Sequence, residues 1–206
     1  MRVLVLDTET IGVCDPTVYD LGYLIHDIAD GKTLVERDYI TKEVYGQTER
    51  MKTAYYANKL PIYEKRLADG YCKLVRWADA LRILQRDINK YKPDGIYAYN
   101  SRFDNRSIAK TCVELKVNKN PTADGILDIW RGLTDPRITK SPEYIEFCRR
   151  NGFMTKHKKP RPQQKAETVF RFLTGQTDFI EEHTALEDSK IELSILVKAL
   201  ALMQRA

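Results

Sequence analysis

The sequence predicts an α/β fold, in which a mixed five-stranded β-sheet carries α-helices on its faces. Two observations lead to this prediction. Short apolar runs rich in β-branched residues come first, and the later chain alternates such runs with amphipathic segments of helical period. At 206 residues, the chain is long enough to form one domain with a sizeable core.

Five segments have the length and composition of strands. They are VLVLD at 3–7, VYDLGYLIHDI at 18–28, TLVERDYI at 33–40, GIYAY at 95–99 and GILDIW at 125–130. The residues ADGK at 29–32 predict a hairpin turn between the second and third strands. The residues PDG at 93–95 predict a turn before the fourth strand.

The remaining segments indicate helices. Residues 41–91 read as helical throughout, so we expect a single domain over 1–206 with a helical insertion at about 42–91. Later helices are expected at 106–116, 141–152, 167–175 and about 185–204. The helix near residue 141 has clear ends, because Ser141 is a good N-cap and Gly152 a good stop.

Composition excludes several classes of protein. No apolar run approaches the ~20 residues that span a bilayer, and the apolar run before Asp7 is too short for a secretory signal. The four cysteines are scattered without a C-x-x-C pair, which argues against a zinc site or a disulfide framework. We therefore expect reduced thiols in a cytoplasmic protein without a membrane partner. The net charge of +5 mildly favours an anionic partner.

Two carboxylates follow the first strand in the stretch DTET. If the strand continues past Leu6, its period of two places Asp7 and Glu9 on one face with Val3 and Val5. Neighbouring carboxylates repel each other unless cations neutralise them, and their oxygens suit Mg²⁺ or Mn²⁺. The alternative is that the strand ends at Leu6 and that DTET is a solvated turn.

A third carboxylate, Asp104, follows the fourth predicted strand in the stretch NSRFD. Its place at the start of a helix is explained by a favourable interaction with the helix dipole, worth ~0.3–1 kcal/mol. The same residue also lies just beyond the carboxyl end of a strand, where the sites of open α/β sheets collect. Both interpretations stay open for this segment alone.

The last helix begins in the stretch EEHTALEDSKIE at 181–192. Thr184 and Glu187 predict a capping box, which puts His183 and Asp188 at the two positions that normally meet in a hydrophobic staple. Asp188 heads an apolar stripe and is expected to face inward, where an unpaired charge is costly. The stripe consists of Ile191, Ile195, Ala199 and Leu202.

Together the three motifs resemble those of the DEDDh subgroup of 3′–5′ exonucleases, which have a ribonuclease-H-like fold. The matching positions are Asp7 and Glu9, then Asp104, then His183 with Asp188. The histidine five residues before the last aspartate distinguishes this subgroup from the one with a tyrosine four residues before it. The chain also looks like exonucleases encoded by tailed phages, which implies the host cytoplasm as its location.

The resemblance implies an enzyme, a phosphodiester hydrolase that releases nucleoside 5′-monophosphates from a single-stranded 3′ end. The four carboxylates would hold two divalent cations, Mg²⁺ or Mn²⁺, with Asp7 as the bridging ligand. In such sites the cations lie about 3.5–4 Å apart; one activates a water and the other stabilises the leaving oxygen. His183 would be the general base, since an imidazole with a pKa of about 6.5 is available as a neutral base at physiological pH.

Candidate substrate contacts lie around these motifs. Thr10 and Asn100 are candidates to contact the terminal nucleotide. The segment RMKTAYYANKLPIYEKR at 50–66 interleaves cations with tyrosines, of which Tyr55 and Tyr56 are candidates to stack on bases. The alternative is an amphipathic segment with buried tyrosines and solvated lysines.

A second basic segment, TKHKKPRPQQK at 155–165, has five lysines and arginines and no acids. It predicts a phosphate-contacting loop beside the site, with a solvated loop as the alternative. The candidate contacts in this loop are Lys158, Lys159 and Arg161. His157 is expected to belong to this surface rather than to bind a metal.

Several functional alternatives stay open at this point. DNA is the expected substrate, with an oligoribonuclease-like RNA trimming enzyme as an alternative. A nucleic-acid-binding module without catalysis, or a structural domain whose carboxylates are caps and turns, is the alternative to an enzyme. A polymerase or another replication or recombination protein is a candidate partner, and the oligomeric state is open.

Overall fold

The computed structural model describes residues 1–204, which are built around a six-stranded mixed sheet. The strands are β1 Arg2–Thr10, β2 Val18–Asp27, β3 Lys32–Thr41, β4 Lys73–Val75, β5 Gly95–Ala98 and β6 Leu127–Asp128. Their order across the sheet is β4-β3-β2-β1-β5-β6. The first three strands form an antiparallel meander, and the last three each pair in parallel with a neighbour. The predicted mixed sheet is therefore confirmed.

Two details of the predicted sheet were wrong. The structure has one strand more than predicted: β4 lies inside the segment expected to be helical and pairs with the end of β3 at the sheet edge. Three residues are too few for a period of two to be recognised. The fifth predicted strand is reduced to the two residues of β6, because Trp130–Thr139 form a π-helix.

The α-helices lie close to their predicted positions. They are α1 Lys42–Tyr45, α2 Thr48–Lys52, α3 Leu60–Ala68, α4 Trp77–Tyr91, α5 Ser101–Glu114, α6 Pro142–Arg150, α7 Ala166–Thr174 and α8 Ala185–Gln204. A 3₁₀ turn, Ala57–Lys59, precedes α3. The predicted cap at Ser141 is confirmed, because its Oγ accepts from the Tyr144 backbone N–H at 3.1 Å. Within residues 1–204, no helix combines the length and apolarity that a membrane span requires.

Helices cover both faces of the sheet. On one face, Leu4 and Leu6 of β1 pack with α4 and α5. On the other face, Val3 and Val5 pack with α6, α7 and α8. Because alternate residues of a strand face opposite sides, Asp7 and Glu9 continue the row that faces α8. A third cluster attaches α1, α2 and α3 to the ends of β2 and β3, with Tyr63 fully buried.

The predicted apolar stripe of α8 is largely confirmed. Ile191, Ile195 and Ala199 are buried in the layer between the helix and the sheet. Leu202 was predicted to belong to the stripe but is 44% exposed, because the last turn of the helix lies outside the packed layer. All four cysteines are free thiols and three of them are buried, as expected.

Candidate active site

The first motif lies at the carboxyl end of the central strand. Strand β1 extends to Thr10, so the solvated turn considered for DTET does not form. Glu9 is only 7% exposed, and Asp7 is partly exposed on the same face. The pairing of β1 with β2 shifts register between Glu9 and Thr10, which marks the end of the regular ladder.

Asp104, the carboxylate of the second motif, is held by the neighbouring strand. It is 2% exposed, and its Oδ1 accepts from the Thr8 hydroxyl at 2.8 Å. Helix α5 begins one turn earlier than predicted, after Asn100 in a left-handed conformation with φ of 64°. Because its carboxylate is buried and hydrogen-bonded to β1, Asp104 is not a solvated charge at a helix end. Asp104 therefore lies with the first motif at the end of the sheet.

Gly22 of β2 allows α8 to approach this part of the sheet. It pairs with Asp7 across the ladder, and a Cβ at Gly22 would lie 2.0 Å from the Leu186 backbone nitrogen. Only glycine lets the two backbones come this close. The Ser189 hydroxyl donates to the Gly22 carbonyl at 3.2 Å, which fastens the first turn of α8 to β2. This contact brings Asp188 to Asp7.

The predicted capping box at the start of α8 was wrong. The buried Thr184 hydroxyl has no hydrogen-bond partner in the described chain, and Glu187 forms an ion pair with Lys190 at 3.1 Å. The cap comes instead from β2, because the Ala185 backbone N–H donates to Oδ2 of Asp20 at 3.0 Å. A carboxylate at a helix N-terminus satisfies a free donor and interacts favourably with the dipole.

His183 is held between an aromatic ring and two carboxylates. Its ring stacks on Tyr56 at 4.5 Å between centroids and 14° between planes. Its Nδ1 lies 3.7 Å from Oδ2 of Asp188 and 3.6 Å from Oε2 of Glu181. Its backbone has a φ of 56°, an uncommon conformation outside glycine, and its carbonyl accepts from the Tyr63 hydroxyl at 3.5 Å. The histidine is thus fixed by residues of the segment between β3 and β4.

All five predicted catalytic residues line one open cavity of about 1120 Å³. They are Asp7, Glu9, Asp104, His183 and Asp188. The same cavity is lined by five of the seven predicted substrate contacts, which are Thr10, Asn100, Tyr55, Tyr56 and Arg161. Residues from β1, α5, α8 and four connecting segments therefore meet at one place.

Lys158 and Lys159, the other two predicted substrate contacts, do not line the cavity, and their contact with a substrate stays a prediction. Their loop is closed at its base by a backbone hydrogen bond of 2.8 Å from Thr155 to Arg161. Thr155 and Arg161 reach the cavity, whereas the two lysines lie in the exposed tip. His157 is exposed, as expected, and also lines the cavity rim.

The carboxylates of the cavity are crowded negative charges. Burial, followed by the charges of neighbouring carboxylates, raises the pKa of both Asp7 and Glu9 well above their usual values. Burial likewise raises the pKa of Asp104 to about 7 and that of Asp188. The interaction with Asp188 raises the pKa of His183. Within residues 1–204, no lysine or arginine forms an ion pair with the four predicted carboxylates.

Sequence reasoning missed two further carboxylates of this cavity. Glu192 is 3% exposed, and burial raises its pKa well above the usual value. Its position four residues after Asp188 on the same helix face was a signal that could have been used. Glu181 lies in the connection before α8, and burial raises its pKa to about 7. No periodicity identifies a residue in such a connection.

The donor set fits a divalent cation. One ligand atom from each of Glu9, His183 and Asp188 lies within 4.8 Å of the others. Oδ1 of Asp188 and Oε2 of Glu192 are buried and have no hydrogen-bond partner in the described chain. Buried carboxylate oxygens without partners are unfavourable by themselves and are suitable ligands for Mg²⁺ or Mn²⁺. The geometry therefore supports the metal-binding interpretation over helix caps and turns.

Comparisons with known proteins support the fold. No family model matches the sequence, and no curated protein matches it. Among solved structures, the chain is similar to the nuclease domain of 3′hExo, a DEDDh family member, bound to rAMP. The TM-score is 0.59 at 12% sequence identity, and the match covers 97% of this chain and 92% of that chain. The predicted α/β fold, a mixed sheet with helices on both faces, is thereby confirmed, since this chain shares the fold of that nuclease domain.

Proposed function

We propose that this chain is a metal-dependent 3′–5′ exonuclease. It would hydrolyse phosphodiester bonds at the 3′ end of single-stranded nucleic acid and release nucleoside 5′-monophosphates. The observation that carries the proposal is the convergence of four carboxylates beside His183, without a paired lysine or arginine among residues 1–204. Their likeness in kind and order to the DEDDh motifs, on the same fold, supports this reaction over other phosphodiester chemistry.

The carboxylates would hold two divalent cations, Mg²⁺ or Mn²⁺. Asp7, Glu9, Asp104 and Asp188 are the proposed ligands, and Asp7, on the central strand, is the proposed bridge. Bound cations would lower the pKa of a water and stabilise the charge that develops on the phosphate and the leaving oxygen. Thr8, Asp20 and Gly22 contribute indirectly, because they fix Asp104 and the first turn of α8.

His183 is the proposed general base. Its Nδ1 faces Asp188 and Glu181, so this nitrogen can keep the ring proton while Nε2 accepts the proton of the attacking water. Stacking on Tyr56 restricts the plane of the imidazole. A base held in one orientation needs less reorganisation when the proton moves. The same two carboxylates stabilise the imidazolium that results.

The cavity is the proposed site for the 3′ end of the strand. Its volume of about 1120 Å³ exceeds the ~300–1,000 Å³ of typical small-molecule pockets, which leaves room for more than one nucleotide. Tyr55, 74% exposed, offers a stacking surface, and Arg161 offers a cation for phosphate. Thr10 and Asn100 are the proposed contacts of the terminal nucleotide. The phage origin, the cytoplasmic location and a replication or recombination partner are proposed from the sequence resemblance.

A timed digestion panel tests this function. Single- and double-stranded DNA and RNA, labelled at the 5′ end, are incubated with Mg²⁺, with Mn²⁺ or with a chelator. We expect a ladder that shortens from the 3′ end of single strands, with nucleoside 5′-monophosphates as products. DNA is the substrate proposed first, and the rAMP in the similar nuclease domain is a reason to include RNA. Binding without nucleotide release in both metals would contradict the enzyme and favour a binding module.

A further inference from the structure

Glu192 is an acid that the four-carboxylate arrangement does not use. It lies on α8 one turn beyond Asp188, and both residues line the same cavity. Residues four apart share a helix face, and helical side chains lean toward the N-terminus of their helix. The longer glutamate side chain therefore reaches back toward the level of Asp188. This direction leads to the carboxylates and away from the apolar layer beneath them.

Among residues 1–204, no lysine or arginine forms an ion pair with Glu192. It is 3% exposed, and its Oε2 is buried without a hydrogen-bond partner in the described chain. The charges that raise its pKa are those of Asp104, Asp188 and Glu181, all of them acidic. A buried carboxylate with an unused oxygen is costly unless something supplies a cation.

Glu192 lines the same cavity as the four predicted carboxylates. Among the residues of the cavity, Glu9, His183 and Asp188 offer ligand atoms that lie within 4.8 Å of one another. After burial, the charge of Glu192 is the largest cause of the raised pKa of Asp7, ahead of Asp104. Glu192 in turn is affected most by burial and then by Asp104.

We propose that Glu192 is a fifth carboxylate ligand for the divalent cations of this cavity, in addition to Asp7, Glu9, Asp104 and Asp188. This proposal rests on the proposed function, since it concerns the cations of the same site. The cation removes the repulsion between Glu192 and its acidic neighbours and occupies the unused Oε2. A fifth carboxylate in the cavity offers the cations one more oxygen ligand before a substrate phosphate arrives.

Manganese binding tests the proposal without relying on turnover. The metal-free protein is titrated with Mn²⁺ at pH 8, and free Mn²⁺ is counted by electron paramagnetic resonance. We expect Glu192→Gln to bind one Mn²⁺ fewer than the wild type, or to bind it at least about tenfold more weakly. Glu187→Gln is the matched control, since it removes a charge from the same helix outside the cavity. We expect this control to match the wild type within about twofold.

A stability measurement separates a metal ligand from a structural acid. If Glu192 is a ligand, Glu192→Gln removes repulsion, and the metal-free variant should melt about 2–4 °C above the wild type at pH 8. A structural acid would give a lower melting temperature on the same change. Glu192→Asp keeps the charge on a side chain that is shorter by one methylene. Its Mn²⁺ binding should therefore be weaker than that of the wild type and stronger than that of Glu192→Gln. It serves as the test variant if Glu192→Gln does not fold.

The possible outcomes are distinct. If Glu192→Gln binds the same number of Mn²⁺ ions with the same affinity as the wild type, the role of Glu192 is overturned and the proposed function is left intact. If the glutamine variant does not fold, the same result in Glu192→Asp has the same meaning. A wild type that binds no Mn²⁺ overturns both proposals. Loss of Mn²⁺ from Glu187→Gln as large as that from Glu192→Gln also overturns the assignment, because the effect would then come from general charge.

Discussion

Two carboxylate clusters of this chain differ in what neutralises them. The paired cluster consists of Asp15 and Glu114, which share the guanidinium of Arg50, at 2.8 Å from Oδ2 of Asp15. The hydrogen bond to Arg50 lowers the pKa of Glu114 to about 2. Burial opposes this direction at Asp15, but hydrogen bonds from Thr17 and Arg50 outweigh it and lower that pKa as well. These charges are satisfied within the protein.

The site cluster, made of Asp7, Glu9, Asp104, Asp188 and Glu192, has the opposite character. Burial raises the pKa of every one of these groups. The paired cluster demonstrates that this chain can neutralise acids with an arginine. No arginine or lysine forms an ion pair with the site cluster within residues 1–204. This difference is expected if the site cluster gives up stability in order to bind the proposed cations from solution. The predictions below test this difference.

The largest effect is expected for Asp7→Asn. Loss of the bridging ligand should lower kcat at least about 10³-fold, since metal stabilisation is worth several kcal/mol and each 1.36 kcal/mol is tenfold. Thermal stability of the metal-free protein should stay equal or rise, because repulsion is relieved. Asp15→Asn is the control, in which stability falls and kcat stays within about threefold. Turnover above about a tenth of the wild type in Asp7→Asn would contradict the assigned role.

The metal-free protein should lose stability as pH rises from 5 to 8. Asp104 and Glu181 have folded pKa values of about 7, so the folded state keeps protons that the unfolded state has released. The raised pKa of His183 acts in the same direction. The contribution from Glu114 is lost only as pH falls below about 4, through its folded pKa of about 2. We expect a loss of about 2 kcal/mol or more between pH 5 and 8, measured by urea unfolding with a chelator present.

Added Mn²⁺ at pH 8 provides the reverse control for that measurement. A cation at 100 times its Kd should restore about 2.7 kcal/mol of stability. A metal-free stability that is flat or rising between pH 5 and 8 would mean that the site acids are compensated in some other way.

A smaller loss is expected when the paired cluster is broken. Arg50→Met leaves Asp15 and Glu114 close together without their cation and should cost about 1–3 kcal/mol, discounted for partial exposure. The free energy of unfolding is the measurement, and kcat should change less than about threefold. Lys52→Met is the matched control, because its pair with Glu49 is exposed and should contribute less than about 0.5 kcal/mol. Equal losses of unfolding free energy in Arg50→Met and Lys52→Met would mean that the paired cluster contributes no more than an exposed ion pair.

The smallest effects are expected at the cations of the basic loop. Arg161 lines the cavity, so Arg161→Gln should raise KM about three- to tenfold and reduce the salt dependence of binding by about one charge. The double change of Lys158 and Lys159 to glutamine should alter KM less than about twofold, since both residues lie in the loop tip. The opposite ranking would show that the loop closes over the substrate.

Local periodicity determined much of the site from the sequence. The period of two along β1 put Asp7 and Glu9 on the face of Val3 and Val5, and the structure agrees. The helical period of α8 put Asp188 inward for the same reason. These predictions succeed because the face that a residue occupies depends on its own strand or helix, which nearby residues specify.

Distances between separate segments were decided by tertiary structure alone. Asp20 lies 165 positions before Ala185, yet it caps α8 in place of the predicted Thr184. Tyr56 reaches the ring of His183 only because the segment after β3 folds back onto the site. No local pattern specifies which donor or ring will arrive from a distant segment.

The sequence by itself therefore determined the residue types of the site, their order and the faces on which they lie. Only the tertiary structure decided that they meet, that Glu192 joins them and that Lys158 and Lys159 do not. The physical reason is visible at Gly22, where the absence of a side chain lets α8 rest on β2 beside Asp7. Packing contacts of this kind set the separation of the carboxylates, on which the proposed binding of cations depends.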